Sequence, residues 1–428
     1  MRGSNTRNPL QHRVLEKLSD NSMTVFFAVL AVLMTYFSKQ SLTVSLNDFI
    51  VRFFRNYLLV VSLILPISAG IGLNFGIVLG ALGSQIAMII ALAVGSYGRP
   101  VPFYLFWGFL TIVICILFGY LLARLFNATK GQEMISGLFV GFLAVAFYMI
   151  ILMVILGGII KISDSTLVSA PGEPIKMTIT LPSTVYQGLD KMLVLPFTDL
   201  IIFLYAAVLC ASALRARKAA KRGDKAELRR RVFAALLATA AFLFIMLFHP
   251  CYKMFHSFKL PVVTAILSAL VALLTWWLMK TKLGHDFLVI RNDMHIAAAV
   301  GIDVDRTRMT AIILSTVFAG LGQLVYIQNL GTMITYGMQN TVSTFAIAAI
   351  LIGGATVTHA SIKDSIVGTI LFHCIYSTAP NAAKNLFGNT QIGEYFRMFL
   401  CYGVIAVAVV MYAVREVRAA REKLKVTE

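Results

Sequence analysis

The stretch IRNDMHIAAAVGIDVDRTRMTAIILSTVFAGLGQLVYIQ, residues 290–328, joins a charged segment to an apolar one without a gap. Residues 290–307 are polar and lead into the basic pair Arg306 and Arg308; residues 309–326 are apolar and carry the small residues Ala319, Gly320 and Gly322. This pattern predicts a short helix on the inner face of a membrane, hinged at Gly301 to a membrane-spanning helix. Such a piece can pass motion between a soluble body and the bilayer.

The rest of the chain agrees with a membrane setting. It has 428 residues, 59% of them hydrophobic and 13% charged, where a soluble domain carries about 25% charged residues. Apolar runs recur along the whole length and are long enough to cross a hydrocarbon core of about 30 Å. The expected fold is an all-α polytopic membrane protein with about eight full transmembrane helices and two interrupted helix pairs in corresponding positions of two halves. A net charge of +18 would suggest nucleic acid for a soluble protein, but here the positive-inside rule accounts for it and no nucleic-acid partner is expected. Of the 37 lysines and arginines, 25 fall in residues 1–22, 124–133, 215–231, 280–308 and 415–428, which places those segments and both termini in the cytoplasm. Five scattered cysteines, with no Cys-x-x-Cys spacing, read as small core residues and indicate neither a metal site nor a disulfide framework.

In order, residues 1–22 form a cytoplasmic tail, residues 23–414 the transmembrane domain and residues 415–428 a second tail. The first span is expected at 23–37, followed by a half-polar stretch at the outer surface, 38–56. Spans follow at 103–122, 134–160, 200–214, 232–248, 260–279, 309–326 and 396–414. Residues 161–199 form an outer insertion whose MTITL run alternates like a strand. The basic loop 215–231 turns at Gly223 and reads as an anchor against lipid headgroups. An outer loop is expected at 377–395, around a Thr-Ala-Pro-Asn turn.

Two apolar runs are broken in the middle. The first, 57–94, is interrupted by Pro66, Gly70, Gly72, Asn74 and Gly76; the second, 344–376, by the group from Gly353 to Thr356 and the polar residues 358–364. A helix broken in a bilayer frees N–H and C=O groups that must face protein or a water-lined cavity, and broken segments in corresponding places point to a transport path. Ser68, Asn74, Thr344, Thr356 and Thr358 are placed to line one. The competing explanation is that the glycines only permit tight helix packing.

Bond-making chemistry has no foothold. There is no GxxxxGK[ST], HExxH or GxSxG. His249 and His256 share an outer turn without a third ligand, and the Lys363–Asp364 pair beside a turn reads as interfacial more readily than as an ion path.

The run from Asn292 through Ala297, Ala298, Ala299, Val300, Gly301, Ile302 and Val304, with Phe318 to Gly322 after it, resembles the permease subunits of ATP-binding-cassette importers. The similar branch carries ribose, simple sugars, nucleosides and branched-chain amino acids. Ala348 to Ala355, and Ser68 to Gly76 continuing to Ala87, match that family's other glycine-rich segments in order. Leu73–Asn74 stands where sugar permeases carry Asp-Leu-Ser, and Thr356 to Ser361 replaces further glycines. The resemblance implies one subunit of a permease dimer, its second copy identical or paralogous, in a bacterial cytoplasmic membrane. An extracytoplasmic solute-binding protein would feed it, and a separate ATPase subunit, which holds the ATP and Mg, would drive it. No cofactor is expected in this chain. Asn292, Ile296, Ala297, Ala298, Val300, Gly301 and Ile302 would dock the ATPase. Ser68, Gly70, Gly72, Asn74, Phe75, Thr344, Gly353, Gly354 and Thr356 would line the path of a small polar solute, a simple sugar or nucleoside first. An ion-coupled secondary transporter is the alternative from another class. It calls for paired buried acids, which the spans nearly lack.

Overall fold

A computed structural model describes residues 22–95, 98–156, 164–170, 172–221 and 258–427, with isolated positions among 159–162 and 229–256. The tail 1–21, the turn expected at Gly223 and about half of the span expected at 232–248, with His249, lie outside the described residues. In chain order the helices are α1 (Ser22–Ser38), α2 (Leu42–Ser62), α3 (Ile64–Ser68), a 3-10 turn (Phe75–Ile77) that opens α4 (Val78–Ala93), and α5 (Pro100–Ala128). Next come α6 (Glu133–Ile150), prolonged by a π turn (Ile151–Ile155), α7 (Gly188–Met192), α8 (Phe197–Lys221), α9 (Val262–Lys280), α10 (Lys282–Asn292) and α11 (Met294–Ala299). The last are α12 (Val304–Leu330), α13 (Met338–Ile352), α14 (Ile362–Phe387) and α15 (Thr390–Thr427). Four short strands complete the set: β1 (Thr178–Thr180), β2 (Val194–Pro196), β3 (Lys259–Pro261) and β4 (Thr332–Ile334).

Among the described residues, seven helical stretches are long and apolar enough to cross a membrane. They are α2 with α3, the 3-10 turn with α4, α5, α6 with its π turn, α9, α12, and the first part of α15. Burial separates centre from rim. The membrane window of α12 is 67% buried and that of α4 83%, against 17% for α6. The central helices approach closely because small residues face each other: a Cβ on Gly80 would lie 2.7 Å from Ala319 Cβ, and one on Gly320 would meet Cys115 Sγ. Contacts this tight hold helices together in a solvent that offers no hydrophobic drive for association.

The structure corrects the helix boundaries in three places. The half-polar stretch 38–56 is not a separate surface element, because α2 runs through it into the apolar segment. Its charges are met locally: Arg52 pairs with Asp48 one turn away at 2.8 Å, and the Arg52 and Arg55 guanidiniums lie over the Tyr376 and Tyr326 rings. The outer loop expected at 377–395 is mostly helix, since α14 continues through Pro380 to Phe387. Proline removes one backbone bond from an α-helix, here the one that would reach the Tyr376 carbonyl, and α14 continues past it, packed along α1, α2, α13 and α15. The break in the first apolar run does not divide a span at mid-membrane. It separates two stretches that each can span, Thr43–Ser68 and Phe75–Ala93.

That break also sits near one end of the bundle. Gly76 abuts Leu122, six residues before α5 ends, or about 9 Å at 1.5 Å per residue. Near the other end of the bundle, the strand-like MTITL run is β1, and its partner is β4. Ile179 and Met333 face each other across this antiparallel pair and both are fully buried. A second pair, β2 with β3, closes the cap.

Candidate functional site

The segment after α9 folds into two short helices because two turn signals bracket the second. Asp293 caps α11, its Oδ1 accepting from the His295 and Ile296 N–H groups at 2.7 and 3.2 Å. At the other end Gly301 adopts φ +85°, where its N–H reaches the Ala298 carbonyl and the Ile302 N–H reaches the Ala297 carbonyl, both at 3.0 Å. This is the double-bonded helix stop that glycine favours because a Cβ strains a left-handed backbone. Of the expected docking residues, Ala297 is buried, Asn292, Ala298 and Gly301 are exposed, and Ile302 is half-buried. Ile296 and Val300 project outward at 58% and 66% exposure. Ile296 on α11 and Val300 just past its end therefore leave two aliphatic side chains exposed among polar and charged neighbours.

The root of this projection is α10. Phe287 and Ile290 are buried, and the end of α10 rests on the first break. Gly70 turns there with φ +74°, and a Cβ on it would lie 2.8 Å from Arg291 Cα. Arg291 Nη1 also lies 3.4 Å from His359 Nδ1 in the second break. The two breaks touch each other, since a Cβ at Gly72 would stand 3.2 Å from Val357 Cγ1. Both interrupted runs therefore converge on one place, directly above α10.

Most of the expected path residues gather there. Ser68, Gly72, Asn74 and Gly353 are buried, Gly70, Phe75 and Gly354 half-buried, and Thr356 exposed. Asn74 Nδ2 is 3.5 Å from Ser315 Oγ on α12, and its Oδ1 is buried with no partner. Thr356 shapes its own loop: its Oγ1 accepts from the His359 N–H at 3.0 Å and its N–H donates to the His359 carbonyl at 2.8 Å. Gly353 packs so closely on α14 that a Cβ would meet the Asp364 carbonyl, so tight packing explains this glycine. Thr344 stands apart. It bonds to the Asn340 carbonyl within α13, nine residues and about 13 Å along the helix from Gly353.

The Lys363–Asp364 pair has a local role. Asp364 Oδ2 accepts from the Ser361 N–H at 2.8 Å while Ser361 Oγ accepts from the Asp364 N–H at 3.3 Å, a capping box that starts α14. His256, half of the suggested histidine pair, has its Nδ1 3.2 Å from Thr198 Oγ1. Among the described residues no cluster of three or more His, Cys, Asp or Glu could hold a metal ion.

Two polar hubs escaped the sequence reading, one at each end of α12. Near its start, Arg308 forms a buried ion pair with Glu133, the side chains 1% and 7% exposed. Lys130 pairs with Asp305 at 2.5 Å, and Asn127 Nδ2 donates to the Asp305 carbonyl at 2.9 Å. A groove of about 680 Å³ runs between this α5–α6 turn and α11, lined by Lys130, Met294, His295, Ala298 and Ile302. Near the far end, buried Asp190 on α7 accepts from Thr264 Oγ1 and from Asn329 Nδ2. Asn329 Oδ1 in turn accepts from Arg55 Nη1 at 3.2 Å. Arg308, the member of the basic pair that adjoins the apolar run, was the available signal for the first hub. Nothing local marked the second.

An apolar helical bundle whose broken runs meet over an exposed, capped surface helix has the shape of a transport subunit. Residues 45–410 match the family described as branched-chain amino acid transport system / permease component. No curated protein and no solved structure matches the chain significantly. The chain therefore belongs to this permease family, which includes ribose and sugar permeases, and it is a multi-pass membrane permease component of an ATP-binding-cassette importer, a transport subunit and not itself a catalyst.

Proposed function

We propose that this chain is one half of the translocation unit of an importer for a small polar solute, a simple sugar or nucleoside first and a branched-chain amino acid second. In this reading α11 is the coupling helix. Ile296 and Val300 enter a groove on a separate ATPase subunit, and α10 carries the movement to the two breaks through Arg291. The supporting observation is that arrangement itself: exposed aliphatic side chains at α11, directly after α10, whose Arg291 lies against Gly70 and His359. A second permease subunit and an extracytoplasmic binding protein complete the assembly, and the described end of the bundle with α11 faces the cytoplasm.

An ion-coupled mechanism has less support. The buried carboxylates among the described residues are Glu133 and Asp190, and each is tied to a fixed partner.

The test is co-purification from native membranes in mild detergent, with mass spectrometry of the associated proteins. A stoichiometric ATPase is the expected result, and a second permease chain would define the dimer. A chain that repeatedly comes out alone, even after cross-linking, would refute the importer reading and direct attention to ion-driven uptake.

A further inference from the structure

Arg308 stands where three helices begin. It lies one turn into α12, its Nη2 pairs with Glu133 Oε1 at the first residue of α6, and its Nη1 is 3.1 Å from Met294 Sδ at the first residue of α11. The exposed pair Lys130–Asp305 and the Asn127 bond to the Asp305 carbonyl tie the same α5–α6 turn to the same helix start. The charged joint is thus the meeting point of the surface helix, the central rod α12 and the peripheral helix α6.

The attachment of α6 explains why this matters. With 17% of its membrane window buried, α6 has little apolar packing to hold it in register with the centre. Its close backbone approaches lie near its base, where Gly137 and Gly141 face the first break, and farther up Tyr148 and Leu152 are its buried side chains. A buried ion pair resists separation strongly, because pulling it apart strands two charges in a low-dielectric site. A helix held loosely along its length and stiffly at its base follows whatever moves that base.

We propose that the Arg308–Glu133 ion pair is a positioning joint that makes α6 follow α11 when the docked ATPase changes nucleotide state, so that α5 and α6 move with the coupling helix. This rests on α11 being the coupling helix. Arg308 and Glu133 act through the helices they join and touch no solute.

The experiment uses this chain with its co-purified ATPase in nanodiscs, with the five native cysteines replaced by alanine. Spin labels are placed at exposed positions in two pairs, Ala299 with Leu273 to follow α11, and Phe142 with Leu273 to follow α6. Distances are compared between ADP and ATP–vanadate. Single substitutions leave one charge buried alone and can unfold the protein, so the informative variant is Glu133→Gln with Arg308→Met, which removes both charges together. Wild type is expected to shift in both pairs. The double variant should keep the α11 shift while the nucleotide-driven α6 population falls about fivefold or more, the low end of coupling between sites. An α6 shift of wild-type size in the folded double variant overturns the joint and leaves the coupling helix standing. No shift of either pair in the wild-type complex, or no ATPase in it, overturns the coupling reading and the joint with it.

Discussion

Replacing Gly301 tests the proposed coupling role of α11 by changing its geometry and not its surface. A Cβ at this position meets nothing within 4 Å, and φ is +85°, so alanine adds no clash and changes only the backbone preference. A left-handed conformation costs an L-residue about 1–2 kcal/mol, which reduces the docking-competent population of α11 roughly 5–30-fold. Proline cannot adopt this φ at all. It forfeits the bonds to the Ala298 and Ala297 carbonyls, each worth about 1 kcal/mol net, and with the lost conformation the total approaches ~3 kcal/mol. At 1.4 kcal/mol per tenfold, affinity for the ATPase should fall by roughly two orders of magnitude. Asparagine tolerates the left-handed region and should lie closest to wild type. The assay is titration of the co-purified ATPase subunit against the permease in nanodiscs, with hydrolysis and solute uptake measured alongside. Gly301→Pro should remain in the membrane yet uncouple hydrolysis from uptake. If it binds the ATPase within about threefold of wild type, the assignment of α11 is wrong.

Other outcomes follow from single contacts. Asp190→Ala leaves Thr264 and Asn329 without their buried acceptor, a loss of about 3 kcal/mol; limited proteolysis between residues 161 and 199 should accelerate, and an unchanged rate would show that the cap is held otherwise. Ser361→Ala opens the capping box of α14 and should lower thermal stability by about 1 kcal/mol; a loss several times larger would mean the second break is more than a helix start. Exposed Val300 and Met177 lie near opposite ends of α12, a 27-residue helix of about 40 Å. Cysteines at the two positions should react with an impermeant maleimide from opposite sides of sealed vesicles. Reaction from one side would refute the placement of the bundle ends.

What the chain determines locally was legible in its residues. Apolar runs of membrane length are set by composition over a window, and α1, α5, α6, α9, α12 and α15 lie where hydropathy puts them. The alternation of residues 177–181 became β1, and the glycine after Val300 stops α11 as its conformational freedom predicts. Tertiary structure decided what depends on residues distant in sequence. The first break is packed by a distant segment, with Gly70 lying against Arg291, more than two hundred positions away. Pro380 stays within a helix because α14 is packed along α1, α2, α13 and α15. Glu133 meets Arg308 across 175 positions and Asp190 meets Asn329 across 139. A charge next to an apolar run reads alike whether it faces headgroups or a buried partner. Only the packing of the helices brings the partner within reach, and only that contact turns a costly buried charge into a joint.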